Sequence, residues 1–175
     1  MMPGKTTKHF LRSVTTFVMT VLLTVALTGC HHIDNKRLPV VPVNVVFSNA
    51  GMWTLYGVEG AMNYRYFIKT SKERVPADFP YPVSASTGFG GILLVSDYNG
   101  MPVAYDLSCP VECRMDVRVH IDNDTHYAVC DKCGSAYSVF ESYGHPVSGP
   151  AAERGYGLQI YSVVPGTTDY FVIRR

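Results

Sequence analysis

Residues Leu107 to Ser135 read LSCPVECRMDVRVHIDNDTHYAVCDKCGS, and a pair of cysteines lies near each end of this stretch. Three residues separate Cys109 from Cys113, and two residues separate Cys130 from Cys133. Paired thiols at such short spacing are typical of metal sites and of disulfide frameworks. We therefore expect the fold to bring the two pairs together.

The residues between the two pairs alternate between apolar and polar side chains, which predicts a strand with one buried face. The apolar positions are Met115, Val117, Val119 and Ile121, and the polar ones are Asp116, Arg118 and His120. A turn at residues 122–124 and a returning strand at 126–129 follow. This hairpin would place each cysteine pair on a loop beyond a strand end.

The rest of the chain also predicts short strands separated by glycine and proline. Asn99-Gly100 lies between two apolar runs and predicts a hairpin with a tight type I′ turn, whereas the prolines of residues 75–82 predict a loop. Residues 51–70 are rich in aromatic side chains and read as strand and turn, with a possible short helical turn at 52–56. Further strands are expected at 43–47, 158–163 and 170–173. The pattern is typical of an all-β sandwich or barrel of short antiparallel strands.

The beginning of the chain is typical of an export signal. Lys5, Lys8 and Arg12 precede an apolar run from Val14 to Leu27, which is too short for a stable membrane helix. The run ends in Leu27-Thr28-Gly29-Cys30, which resembles the lipobox of bacterial lipoproteins. The resemblance implies cleavage before Cys30 and lipid on its thiol.

These observations divide the chain into three parts. We expect residues 1–29 to be a lipoprotein signal peptide, 30–42 a polar tether and 43–175 one domain, with its cysteine-loop region at about 107–145. The protein would be exported and held on a membrane of the cell envelope, at a periplasmic or surface face, through the lipid on Cys30.

Composition and motifs exclude several classes of function. The formal net charge is +1 and no basic block occurs, so we expect no nucleic-acid partner. No phosphate-binding loop, Ser-His-Asp order or suitably placed pair of carboxylates supports catalysis of hydrolysis or phosphoryl transfer. We interpret the three histidines of the domain, His120, His126 and His145, as surface residues.

The second cysteine pair begins a longer pattern. Its further members are, in order, Gly134-Ser135, Tyr137, Gly144-His-Pro-Val147, Gly149-Pro150-Ala151, Leu158 and Tyr161. This segment resembles the second half of Rieske iron-sulfur domains, and Cys109-Pro110 resembles the first ligand loop of that family. The resemblance implies a Rieske-like fold and a function in electron transfer.

The ligand positions depart from the family pattern, because Val111 and Cys133 stand where its two histidines are expected. The resemblance implies that Cys109 and Cys130 are metal ligands. Cys133 would replace one histidine, and Cys113 is the candidate for the fourth ligand. The resemblance also implies that Gly134 lets the backbone approach the metal site and that Ser135 and Tyr137 donate hydrogen bonds to the bound group.

Three chemical states of the four cysteines stay open. They are a 2Fe-2S cluster of low potential, a structural zinc ion, and a metal-free site with bridged or free thiols. The first predicts an electron carrier that serves an unknown redox partner and is not an enzyme by itself. The others predict a lipoprotein that keeps the same scaffold as a structural or binding module.

Overall fold

A computed structural model describes residues 32–166 and 170–175, so the expected signal peptide and Cys30 lie outside the described residues. The all-β prediction is confirmed, since twelve short strands accompany only two short helices in the described part of the chain. The strands are β1 Val43–Phe47, β2 Tyr64–Lys69, β3 Arg74–Val75, β4 Ser86–Thr87, β5 Ile92–Ser96, β6 Pro102–Asp106, β7 His120–Ile121, β8 Ala128–Val129, β9 Ala136–Ser138, β10 His145–Ser148, β11 Ile160–Pro165 and β12 Phe171–Arg174.

The larger sheet has eight strands in the order β3-β2-β5-β6-β11-β12-β1-β4. All of its pairs are antiparallel. The sheet curls, because the backbone N–H of Lys69 at the end of β2 donates to Thr87 Oγ1 in β4 at 3.1 Å. The Lys69 ammonium adds a bond of 2.8 Å to the carbonyl of Ala85. This curl encloses an aromatic core in which Phe47, Phe67 and Phe79 pack edge to face.

The smaller sheet has four antiparallel strands in the order β10-β9-β8-β7 and carries the second cysteine pair. A second core lies between the two sheets. It includes Leu93 and Tyr105 from the larger sheet and Tyr137 from the smaller one, all fully buried. Because Cys109 and Cys130 belong to this core, packed apolar side chains support the two cysteine loops.

Both helices are short and have recognisable end residues. Helix α1 spans Ala50–Tyr56, and Asn49 caps it by accepting a hydrogen bond of 2.9 Å from the N–H of Met52. Helix α2 spans Gly149–Arg154, with Pro150 in its first turn and a left-handed Gly155 at its end. The possible helical turn at 52–56 is therefore present, while the Gly-Pro-Ala segment forms a helix that we did not predict.

Two details of the predicted hairpins are wrong. Only residues 120–121 of the expected strand 115–121 are in β7, because Val119 donates instead to Leu107 at 2.8 Å, next to the first cysteine loop. In the β5–β6 hairpin, the N–H of Gly100 donates to the Asp97 carbonyl, and Gly100 has a positive φ while Asn99 does not. The turn is thus of type I with a left-handed glycine, and not the expected type I′.

The compact unit begins at Ile33, ahead of the expected domain start at residue 43. The N–H of Asp34 donates to the Gly155 carbonyl at 2.7 Å, and Leu38 is only 3% exposed. The part of the expected tether from Ile33 onward is therefore docked on the domain. Within the described residues, no helix has the length and apolar character to cross a membrane.

Candidate metal centre

The two cysteine loops are built by backbone hydrogen bonds close to the strand ends. Cys109 follows β6, and its N–H donates to the carbonyl of Val117 at 3.0 Å. Cys130 follows β8 and donates to the carbonyl of Ser135 at 2.9 Å, while Gly134 donates back to the Cys130 carbonyl at 2.8 Å. Backbone hydrogen bonds therefore hold each loop as a closed turn next to its strand end.

Three of the four cysteines converge. The sulfur atoms of Cys109, Cys130 and Cys133 all lie within 4.8 Å of one another. Cys109 Sγ and Cys133 Sγ are 3.6 Å apart, and all four cysteines of the described residues are free thiols. A tetrahedral zinc ion with Zn–S bonds of about 2.3 Å would hold its sulfurs about 3.8 Å apart. The three sulfurs therefore have nearly the spacing that one shared ion requires.

The three sulfurs differ in their access to solvent. Cys109 and Cys130 are fully buried, whereas Cys133 is partly exposed. A site made by these residues is closed on the side of the apolar core and open on the side of Cys133.

Cys113 is not part of this group. Its thiol donates to the carbonyl of Pro110 at 3.1 Å, and its sulfur lies 3.8 Å from the guanidinium of Arg37. Cys113 also has a positive φ of 50°, which is unusual for a residue other than glycine. The structure therefore does not bring the expected fourth ligand to the other three.

Two hydroxyl groups face the converging sulfurs. Ser135 Oγ lies 3.2 Å from Cys133 Sγ and also accepts a hydrogen bond of 3.1 Å from the N–H of Ala151. The phenol oxygen of the fully buried Tyr137 lies 3.6 Å from Cys109 Sγ. Both hydroxyls are in a position to donate to a thiolate if the cysteines lose their protons.

Burial and hydrogen bonding have opposite effects on the ionisation of the three thiols. It raises the pKa of Cys109 to about 12, although the hydrogen bond from Tyr137 acts in the opposite direction. Burial also raises the pKa of Cys130. For Cys133, burial acts to raise the pKa, but several hydrogen bonds, first among them those with Ser135, together outweigh it, so that its pKa is lowered. A bound cation would therefore have to displace protons from at least the two buried thiols.

The glycines near the site have different physical roles. Gly134 has φ +69°, which favours glycine in this turn, and a Cβ there would meet no protein atom within 4 Å. A Cβ on Gly149 would lie 2.9 Å from the carbonyl oxygen of Gly134. The second cysteine loop therefore packs directly against the start of α2.

An ion pair that we did not predict also joins the two loops. The ammonium of Lys132 lies 2.7 Å from a carboxylate oxygen of Glu112, and Glu112 is only 17% exposed. Each cysteine pair encloses one of these two residues in the sequence, and their opposite charges could have indicated the contact. The histidines His120, His126 and His145 are exposed and contribute nothing to the group of three sulfurs.

Soft thiolate ligands favour zinc, copper(I) and iron-sulfur clusters. A 2Fe-2S cluster needs four terminal ligands, two on each iron, and the ligands of different irons point away from each other. In the described residues, three sulfurs lie around one point. This arrangement fits a single ion better than the two separated pairs of ligands that a 2Fe-2S cluster needs.

Comparison with other proteins adds no identification. No family model matches the chain, and no match was found among the curated proteins or the solved structures. The resemblance to Rieske domains therefore stays a prediction from the residues of this chain.

Proposed function

We propose that this protein is a metal-binding module of the cell envelope in which Cys109, Cys130 and Cys133 hold one thiophilic ion, with zinc as the first candidate. The observation that carries the proposal is the convergence of the three sulfurs within 4.8 Å of one another. The ion would have a structural role, because it would connect the two cysteine loops in addition to the ion pair of Lys132 with Glu112.

Such an ion would stabilise the site by cross-linking it. Cys109 belongs to the loop after β6, and the other two ligands belong to the loop after β8. A metal bound only by the folded state adds its binding free energy to the free energy of unfolding. The rigid loop tips would then form a fixed surface on a domain that the lipid on Cys30 holds at a membrane.

The second candidate is the electron carrier with a 2Fe-2S cluster. It is favoured by the Rieske-like pattern of residues 130–151 and by the hydroxyls of Ser135 and Tyr137, which face the sulfurs as hydrogen-bond donors to a cluster would. This candidate requires Cys113 to turn toward the other three cysteines and requires a redox partner protein.

Metal analysis of the full chain, purified without oxygen, distinguishes the candidates. We expect a colourless protein with one zinc ion per chain, and cobalt substitution should give the charge-transfer bands of cobalt thiolates. Cys133→Ser should weaken these bands by about one third per bound ion, because two of the three thiolates remain, while the matched variant Cys113→Ser should keep them unchanged. Two irons per chain with strong visible absorption would instead support the electron carrier. Metal-free protein that binds neither zinc nor cobalt would refute both candidates.

A further inference from the structure

The segment Ile33–Pro39, here called the N-terminal strap, is held along the domain by its backbone. The N–H of Asp34 donates to Gly155 at 2.7 Å, and Gly157 donates to the Asp34 carbonyl at 3.0 Å. Near the other end of the strap, the guanidinium of Arg175 donates to the carbonyl of Pro39 at 3.2 Å. The strap is therefore fixed at two points that do not involve the cysteine loops.

Between these points, Arg37 reaches the first cysteine loop. Its guanidinium stacks on the ring of Tyr156 at 3.9 Å from the ring centre, which limits the orientations of the side chain. Its Nε donates to the carbonyl of Pro110 at 3.2 Å. A terminal nitrogen lies 3.8 Å from the sulfur of Cys113. One side chain thus contacts both the acceptor of the Cys113 thiol and the thiol itself.

The conformation of Cys113 is unfavourable by itself. A residue with a side chain rarely adopts a φ of 50°, because its Cβ then crowds the backbone, so surrounding contacts must hold it. The N–H of Cys113 donates to the Cys109 carbonyl at 2.9 Å, which makes the Cys109–Cys113 segment a tight turn. Two cysteines separated by three residues on one turn have a spacing at which both can bind the same ion. The sequence spacing therefore does not explain why Cys113 is outside the group.

We propose that Arg37 is a positioning residue that holds Cys113 outside the three-sulfur site and so keeps the fourth coordination position of the ion open. This inference rests on the proposed metal site. Metal sites with four protein ligands are closed, whereas sites with three keep a position for an outside ligand. The partly exposed side at Cys133 is the side from which a small soft donor, such as a thiol or imidazole, would reach the ion.

Counting thiolates on a bound cadmium ion tests the role of Arg37. The full chain is loaded with cadmium, and the cadmium-thiolate absorption and the chemical shift of ¹¹³Cd are measured. Wild type should give three thiolates per ion. Arg37→Ala should give four, with the absorption per ion increased by about one third, because the released Cys113 joins the site. In the double variant with Cys113→Ser the count should return to three.

Matched variants separate this role from a general loosening of the strap. Arg175→Ala removes a contact of the strap that does not touch the cysteine loop, so the count should stay at three. Tyr156→Leu removes the ring on which Arg37 stacks and should raise the count as Arg37→Ala does, which provides a second test if Arg37→Ala does not fold. Cobalt-loaded wild type should show a spectral change on addition of imidazole, and Arg37→Ala should not.

The two proposals fail in different ways. If wild type binds no cadmium through its thiols, the metal site itself is refuted. If wild type binds one cadmium ion with three thiolates and Arg37→Ala and Tyr156→Leu do the same, the metal site stands and the role of Arg37 is refuted. Four thiolates in wild type would also refute it.

Discussion

Removal of one buried hydroxyl should weaken metal binding without removing a ligand. In Tyr137→Phe the ring keeps its place in the core, and only the phenol oxygen 3.6 Å from Cys109 Sγ is lost. Tyr137 is fully buried, so water cannot easily replace the lost donor. The change therefore isolates the hydrogen bond from the hydroxyl to the sulfur.

The size of the effect depends on the charge of Cys109. In the metal-free protein burial raises the pKa of this thiol to about 12, so the sulfur is neutral and the hydrogen bond contributes at most about 1 kcal/mol. A thiolate on a metal is charged, and hydrogen bonds to charged groups contribute roughly 1.5–3 kcal/mol. The difference of about 1–2 kcal/mol corresponds to a loss of affinity of roughly 5- to 30-fold.

Competition of the protein with a chromophoric zinc chelator measures this loss. Tyr105→Phe is the matched control, because the Tyr105 phenol is equally buried but donates to the carbonyl of Val139 at 3.0 Å and not to a sulfur. It should cost about 1–3 kcal/mol in the free energy of unfolding and leave the affinity within twofold. Wild-type affinity in Tyr137→Phe, or an equal loss in both variants, would refute the reasoning.

Two further predictions concern protons and glycines. Burial raises the pKa values of Cys109 and Cys130, so both thiols are protonated at neutral pH and each must release a proton on binding. Zinc affinity should therefore fall at least about 100-fold from pH 8 to pH 7, as measured by competition titration, and pH-independent affinity would contradict thiolate ligands. Gly134→Ala should lower the free energy of unfolding by about 1 kcal/mol, because the positive φ of this position is strained for a residue with a Cβ, although the added Cβ would meet open space. Gly149→Ala should lower the free energy of unfolding clearly more, because its Cβ would also lie 2.9 Å from the carbonyl oxygen of Gly134. Equal decreases in the melting temperatures of the two variants would show that this packing is unimportant.

Local patterns in the sequence predicted most of the strands. The β5–β6 hairpin follows from two apolar runs and a glycine turn, and β1 follows from a run of branched residues. The approach of Cys109 and Cys130 follows from the hairpin between them, since each lies just beyond a strand end. These features depend on neighbours along the chain, which is why alternation and turn residues reveal them.

The alternating pattern at 115–121 predicted a longer strand than the structure has. Val119 and Ile121 are buried and Val117 packs against the core, whereas Met115 is 57% exposed, so the pattern identified the buried face correctly only from Val117 onward. The hydrogen-bond partner was not predictable from alternation, because the N–H of Val119 donates to Leu107 and not to the returning strand. Period-two alternation reports burial and says little about which backbone a residue pairs with.

The position of Cys113 depends on a contact that no local pattern indicates. Its spacing from Cys109 is compatible both with a metal ligand and with a cysteine that does not bind the metal. Arg37, which contacts its sulfur, is 76 residues away and lies in a segment whose polar composition predicted a free tether. Docking of that segment depends on backbone bonds such as that from Asp34 to Gly155, which any residue type can make.

X-ray absorption at the zinc edge of the zinc-loaded full chain tests the central claim most directly. Convergence of Cys109, Cys130 and Cys133 on one ion predicts three sulfur neighbours at about 2.3 Å, one lighter neighbour from solvent and no second metal nearby. In Cys133→Ser the sulfur count should fall to two. A shell without sulfur in wild type, or an unchanged count in the variant, would contradict the claim.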